Sequence, residues 1–280
     1  MTAADVIFAD WRLPWGITLT VAAFAALYWR GWLAIRKTRP EQFPAWRLFC
    51  FLSGLTITWL AIASPIDGFA DLLLSAHMVE HLLLMSAVPP LIWASAPVVP
   101  LLRGLPKSTV QVVVGPLLRW RALRKLEHFF TQPVVAWLTF NLTFVLWHVP
   151  AAYDYALAHE HVHEFEHVCF LSSSLLFWFV LLEPWPARKG AMRWGLLAYL
   201  ITSDLVNTAL SAFLAFCDRN VYTFYEHQPN PFGVSLVGDQ TLGAVIMWVL
   251  GSMFFLVPAA IFTVQMLQPK RSSRIAHQNA

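Results

Sequence analysis

Long apolar stretches separated by short clusters of charged residues dominate this chain. Two of them, residues 48–66 and 240–269, contain no Asp, Glu, Lys or Arg. Each is long enough to cross a hydrocarbon core of about 30 Å, since a helix rises about 1.5 Å per residue. Reading the apolar runs along the chain predicts seven transmembrane helices, near residues 14–35, 46–66, 72–95, 130–149, 162–183, 193–216 and 239–267. The expected fold is an all-α, polytopic membrane helix bundle that forms one domain over residues 1–280.

The distribution of basic residues predicts the orientation of these helices. Of the 19 Lys and Arg residues, all but Arg12 and Arg219 fall in the C-terminal tail or around the loops that follow the first, third and fifth predicted helices. Cytoplasmic loops carry the excess of Lys and Arg. We therefore expect the N-terminus on the outer side and the C-terminus inside, as an odd number of helices requires.

Composition agrees with a membrane protein and adds two expectations. Only 12% of the residues are charged, about half the fraction usual for soluble domains. The N-terminus is acidic and no small-residue cleavage site follows the first apolar run, so we expect that run to be a retained helix. Residues 97–127 contain a short apolar core interrupted by prolines, which predicts an interfacial or re-entrant segment on the cytoplasmic face.

Histidines are the most informative polar residues. His77 and His81 lie near the start of the third predicted helix, and His163 and His167 lie near the start of the fifth. Side chains four apart project from one face of a helix, so each pair can offer two nitrogens to one metal ion. Ionisable groups inside a membrane are costly and usually mark function. These two pairs predict a metal site near the outer face.

Two further positions extend this predicted site. His148 ends the fourth helix, where Pro150 cannot continue it. Asp239 opens the seventh helix, where an acid can serve either as a metal ligand or as a cap that complements the helix dipole. Around these lie residues that could ligate weakly or orient a ligand, with Glu164 as a candidate acceptor for an imidazole: Met78, Met85, Tyr153, Asp154, Glu164, Gln240 and Met247.

Three segments together resemble a known family. HMVEHLLLMSAVPPLI, WHVPAAYDYALAHEHVHEFEHVCF and DQTLGAVIMW are similar, in this order, to the signature segments of the CtaG-type cytochrome c oxidase assembly factors. The resemblance runs from about residue 77 to about residue 251. It covers a set of recurring family positions, which match here at His77, His81, Pro89, Pro90, Trp147, His148, Pro150, Tyr153, His163, His167, Asp239, Gln240, Met247 and Trp248.

The resemblance implies a bacterial integral protein of the cytoplasmic membrane that helps to mature a terminal oxidase through copper. Oxidase subunits, the lipid bilayer and other copper chaperones are then the expected partners, and nucleic acid is not. Imidazole suits copper, zinc and iron, and a thioether shifts the preference towards Cu(I), so copper is the expected metal and zinc the alternative. We expect no catalysis.

Two other functions stay open at the level of sequence. Three histidines and Asp239 could hold zinc and an activated water in an intramembrane hydrolase, with Glu80 or Glu164 as the base. A b-haem electron carrier is the third possibility. Histidines four apart on one helix cannot occupy opposite axial positions of one iron, so a haem would need a pair from two helices, such as His81 with His167.

Overall fold

The computed structural model describes residues 13–64, 67–184 and 193–267, and within them all regular secondary structure is helical. This confirms the predicted all-α fold. A 3₁₀ turn, Thr223–His227, precedes the last helix. The helices are α1 (Trp15–Arg36), α2 (Ala45–Ala63), α3 (Asp67–Ala70), α4 (Leu74–Ala94), α5 (Val98–Gly104), α6 (107–119), α7 (Arg121–Phe130), α8 (Pro133–Trp147), α9 (Pro150–Leu157), α10 (Glu160–Leu182), α11 (Arg193–Phe216) and α12 (Leu236–Leu267).

Five helices, α1, α2, α10, α11 and α12, are long and apolar enough to cross a membrane. Two further candidates are bent pairs: α4 with α5 meet at 69°, and α7 with α8 meet at 71°. The described residues therefore contain five candidate membrane spans, or up to seven if each bent pair is one span. The count of seven and the orientation remain predictions.

Prolines explain why these pairs bend. Pro97 and Pro133 stand at the junctions, and a proline cannot donate a backbone hydrogen bond to the preceding turn. The residue before a proline is also driven to extended backbone, as Gln132 is with a ψ of 133°. The fourth predicted helix, 130–149, is consequently split, and its regular part begins at Pro133. Residues 97–127 fold into α5, α6 and most of α7.

Helix α4 contains a π-helical turn, Leu83–Ala87, one turn after its histidines. Because Pro89 has no N–H, the carbonyl of Met85 lacks its usual partner within the helix. The indole of Trp178 on α10 donates to this carbonyl at 3.0 Å. Trp93 donates to the carbonyl of Leu175 at 2.8 Å. These two bonds fix α4 against α10, the two helices that carry the histidine pairs.

Helix α12 packs against both α11 and α4. Asn207 donates to the carbonyl of Met247 at 3.3 Å, so α11 and α12 are joined by a hydrogen bond between helices. Gly243 allows the close approach of α4, because a β-carbon there would lie 3.2 Å from the Cα of Ser75. The start of α4 is thus held between α10 and α12.

Large apolar side chains cover much of the outer surface of the long helices. Leu19, Phe49, Phe213, Met253 and Leu267 are each more than half exposed. A continuous apolar exterior of this kind is what lipid requires of a helix bundle. The chain is therefore a membrane protein.

Candidate metal centre

Four imidazole rings meet where the starts of α4 and α10 lie side by side. Along each helix the ring centroids are 4.1 Å apart for His77 and His81, and 4.3 Å apart for His163 and His167. Between the helices, His77 lies 5.2 Å from His163, and His81 lies 5.6 Å from His167. The two pairs predicted from the sequence therefore form one cluster, which we call the histidine quartet.

Three members of the quartet share a tighter arrangement with one carboxylate. His77, His81, His163 and Glu166 each offer a ligand atom, and these atoms all lie within 4.8 Å of one another. Ligand atoms on opposite sides of an ion bonded at about 2.0–2.2 Å are about 4.4 Å apart. Small side-chain rotations would therefore bring the four atoms around one ion. We call these residues the four-ligand group.

Glu166 was not among the site residues predicted from the sequence. It follows His163 by three positions and so shares its face of α10, a signal that was present in the sequence. Glu164, which the sequence suggested as an orienting acceptor, instead lies on the exposed side, where its carboxylate is 3.3 Å from Nδ1 of His161. The side chain of Glu166 is only 1% exposed.

A second carboxylate, that of Glu80 on α4, makes the equivalent contact in the opposite direction between the two helices. The motif H-x-x-E-H occurs at 77–81 on α4 and again at 163–167 on α10. The carboxylate of each helix approaches the last histidine of the other: Glu166 Oε1 lies 3.9 Å from His81 Nε2, and Glu80 Oε1 lies 3.1 Å from His167 Nε2. Four imidazoles and two carboxylates are thus concentrated at one place between two helices.

Most of the polar atoms in this cluster are buried without a hydrogen-bond partner. Both ring nitrogens of His77 and His81, Nε2 of His163 and His167, and both oxygens of Glu80 and Glu166 are in this state. An unsatisfied buried polar group costs about 1–3 kcal/mol, and more if it is charged. Such groups are rare in native proteins. A cation bound here would satisfy these atoms together.

His148 lies beside the four-ligand group rather than in it. Its ring is 6.4 Å from that of His81, and its Nδ1 is 2.7 Å from the carbonyl oxygen of Phe144. Because a carbonyl only accepts, Nδ1 must carry the proton, which leaves a free lone pair on Nε2. His148 lines a small cavity of about 30 Å³ together with Met78, Met85 and Met247. The three predicted methionines therefore gather below the quartet.

Asp239 takes the capping role, one of the two roles that the sequence left open for it. Its carboxylate accepts hydrogen bonds from the backbone N–H groups of Leu74, at 2.6 Å, and Ser75, at 3.3 Å, and from the Ser75 hydroxyl, at 2.5 Å. These are the free N–H groups of the first turn of α4. Asp239 therefore caps the helix that carries His77 and His81, and it is not one of the four converging ligands.

The side chains of Gln240 and Asp154 also form hydrogen bonds with backbone groups. Gln240 accepts from the N–H of Val221 at 2.8 Å and donates to the carbonyls of Leu214 and Arg219, both at 3.2 Å. Asp154 accepts from the N–H groups of Thr223 and Phe224 and from the Thr223 hydroxyl. Both side chains fix the loop between α11 and α12 over the end of the bundle.

Tyrosines from this loop and from α9 cover the quartet. The Tyr153 ring lies 5.3 Å from the His77 ring, and its hydroxyl is 3.0 Å from that of Tyr225. Tyr225 donates to the carbonyl of Ala70 at 3.1 Å. Burial raises the pKa of both Tyr153 and Tyr225 well above the ordinary value. Both phenols therefore stay protonated, and they shield His77 from water.

The open side of the quartet faces a cleft of about 510 Å³ between α1, α2 and α10. His163 and His167 reach it from α10, and Asp67 reaches it from α3. Glu160 and Glu164 lie at the same cleft, so three carboxylates surround the approach. Burial, and next the neighbouring Asp71 carboxylate, raise the pKa of Asp67 to about 6.

Comparison with known proteins identifies a family that matches this chain. The family model described as "Cytochrome c oxidase caa3 assembly factor" matches residues 26–269. Two relatives, Uncharacterized protein Mb0105 of Mycobacterium bovis and Uncharacterized protein MT0111 of Mycobacterium tuberculosis, are each 24% identical over 276 residues. These alignments cover 95% of this chain and 40% of each relative, so the chain spans less than half of their length. No solved structure matches the chain.

The family match runs from within α1 to just beyond α12 and so includes both helices of the quartet. It covers the greater part of the chain and every ligand of the four-ligand group. The chain therefore belongs to the family of cytochrome c oxidase caa3 assembly factors.

Proposed function

We propose that this protein binds copper at the four-ligand group and delivers it to a haem–copper oxidase during assembly. The single observation that carries the proposal is the convergence of three imidazoles and one carboxylate, buried and without hydrogen-bond partners, in a member of an oxidase assembly family. The protein then acts as a carrier, and its partners are oxidase subunits and the chaperones that supply copper.

The ligand types support copper, with zinc as the alternative. Imidazole nitrogens suit both metals, and a carboxylate oxygen is acceptable to Cu(II) and Zn(II). The buried thioethers of Met78, Met85 and Met247 lie next to His81 and His148 around one cavity, and thioethers favour Cu(I). Because ligands of both kinds lie close together, the site could hold copper in either oxidation state.

The membrane placement we propose follows the basic residues. With seven spans and the N-terminus outside, the starts of α4 and α10 lie at the outer end of the bundle. The quartet and its cleft would then open to the periplasmic side of the bacterial cytoplasmic membrane. Copper arriving there needs no passage through the bilayer before transfer.

Replacing His77 tests the proposal directly. We expect the His77→Ala protein, purified without chelator, to lose most of its copper, and a strain carrying it to have low oxidase activity with normal synthesis of the oxidase subunits. His128→Ala is the matched control, because His128 lies on α7, far along the chain from the quartet. Added copper should partly restore activity to a deletion strain. Full oxidase activity in a deletion strain grown under copper limitation would rule out the assembly role.

A zinc hydrolase is the second candidate, because one observation favours it. Glu80 lies beside His167 near the floor of an open cleft, where a carboxylate could activate a zinc-bound water. Against it, four protein ligands would fill a tetrahedral zinc shell, whereas catalytic sites keep one position open. Zinc rather than copper in the purified protein, lost together with a hydrolytic activity in Glu80→Gln, would favour the enzyme.

The quartet gives no support to a b-haem. Its rings contact one another, and the ring of Phe170 lies 4.4 Å from that of His81. A haem needs a flat space between its two axial histidines. An absorption spectrum of the purified protein distinguishes the two cases, since a b-haem gives strong Soret absorption and the proposed copper protein does not.

A further inference from the structure

The floor of the cleft holds a second group of cation ligands outside the four-ligand group. Asp67 on α3 lines the cleft, and its carboxyl group contacts that of Glu80 on α4. His167 on α10 also lines the cleft, with Nε2 3.1 Å from Glu80 Oε1. Glu80 therefore lies between a second carboxyl group and an imidazole, each from a different helix.

These three groups have the chemical composition of a cation site, and two of them are deeply buried. The Glu80 side chain is 4% exposed, yet neither of its oxygens has a hydrogen-bond partner, and neither does Nε2 of His167. Two carboxylates in contact repel each other when both are ionised. A cation between them removes that repulsion and satisfies the free lone pairs.

We propose that Asp67, Glu80 and His167 form an outer cation site through which a metal ion passes on its way to the four-ligand group. The proposal rests on the proposed function, since it assumes that the inner group binds metal. His163 lines the cleft and also belongs to the four-ligand group, and its ring is 4.3 Å from that of His167. An ion held at the outer site therefore has the inner ligands beside it.

The chemistry of the outer site selects a divalent ion. Two oxygens and one nitrogen suit Cu(II) or Zn(II), and they are poor ligands for Cu(I). Glu160 and Glu164 lie at the same cleft, and carboxylates lining a cleft raise the local concentration of cations. Capture at the outer site followed by transfer to the neighbouring imidazoles gives the ion a stepwise path into a buried site.

Titration of the purified full chain with Cu²⁺ in detergent tests this proposal. We expect two ions per chain in the wild type, one in Asp67→Asn and one in His77→Ala, each variant retaining the ion that the other has lost. The inner site of Asp67→Asn should also load about tenfold more slowly or worse, as loss of a supporting carboxylate typically weakens a metal site by that factor or more. Glu80→Gln is the second variant and should copy Asp67→Asn.

Glu127→Gln is the control. Glu127 is exposed on α7 and is not among the residues that line the cleft, so this change should leave both stoichiometry and loading rate unchanged. One ion in the wild type, unaffected by Asp67→Asn and Glu80→Gln but lost in His77→Ala, would overturn the outer site and leave the inner one intact. No bound ion in any protein would instead overturn the proposed function.

Discussion

Two glutamates separated by one residue on α10 have opposite surroundings. Glu166 is buried against His81, whereas Glu164 is exposed beside His161. A helix turns through about 100° per residue, so positions two apart point in very different directions. The same chemical group is therefore a candidate ligand at one position and a solvated charge at the other.

This difference gives a matched pair of substitutions. Glu166→Gln should weaken copper binding by about tenfold to a hundredfold, the range found when a conserved partner is removed from a metal site. Glu164→Gln changes the same group on the same helix and should lower the affinity far less, because Glu164 only lines the approach to the site. Competition against a chelator of known affinity measures both. Equal affinities for the two variants would exclude Glu166 from the four-ligand group.

At this scale the sequence predicted the histidines better than the acids. The four-residue spacing of His77 with His81 and of His163 with His167 is sufficient to place each pair on one helix face, whatever the packing. The carboxylates contact groups on other helices: Glu80 approaches His167, and Asp239 binds Leu74 and Ser75. Contacts of this kind depend on how helices meet, which spacing along the chain does not specify.

At the scale of the helix, α4 depends on groups from its neighbours at two places. Asp239 of α12 binds the N–H groups of its first turn, and Trp178 of α10 binds the carbonyl of Met85 that Pro89 leaves free. Both contacts lie close to the histidines in the sequence. The position of His77 and His81 is therefore set by three helices.

The Asp239→Asn variant tests whether Asp239 caps α4 or binds the metal ion. An amide keeps one acceptor but turns an N–H₂ group towards the N–H donors of α4. We expect a loss of about 1–2 kcal/mol of stability, the usual cost of a lost cap, with the wild-type ratio of metal to protein retained. Thermal unfolding in detergent and elemental analysis measure the two quantities. Asp218→Asn is the control, because Asp218 is exposed near the end of α11. Loss of metal at unchanged stability would restore Asp239 as a ligand.

Helix existence was predicted well, and helix breaks were predicted less well. Apolar runs predicted α1, α2, α10, α11 and α12 to within a few residues, because isolated charges do not end a helix and the one proline inside these helices, Pro258, lies far from the start of α12. The run near 130–149 concealed a bend of 71° before Pro133. A proline there shows that a helix can begin anew, but the angle between the two parts depends on their packing.

At the scale of the whole molecule, the basic residues make the orientation testable. Reporter fusions after Arg39, Arg124 and Lys189 should report the cytoplasm, and fusions near His161 and Gln228 should report the outer side, because Lys and Arg are retained inside. Lys189 itself lies outside the described residues. An outer signal at Lys189 would change the number of spans and would contradict an outward-facing quartet.

The small size of the cavity beneath the quartet bears on how a metal ion could enter and leave the protein. At about 30 Å³ it has room for only about two or three waters, and aromatic and aliphatic side chains enclose much of it. The wide approach is the cleft on the other side of the quartet. Under the proposed function, an ion that enters through the cleft would therefore leave through it as well. The supplier and the recipient of the copper would then use one opening and would visit the protein in turn.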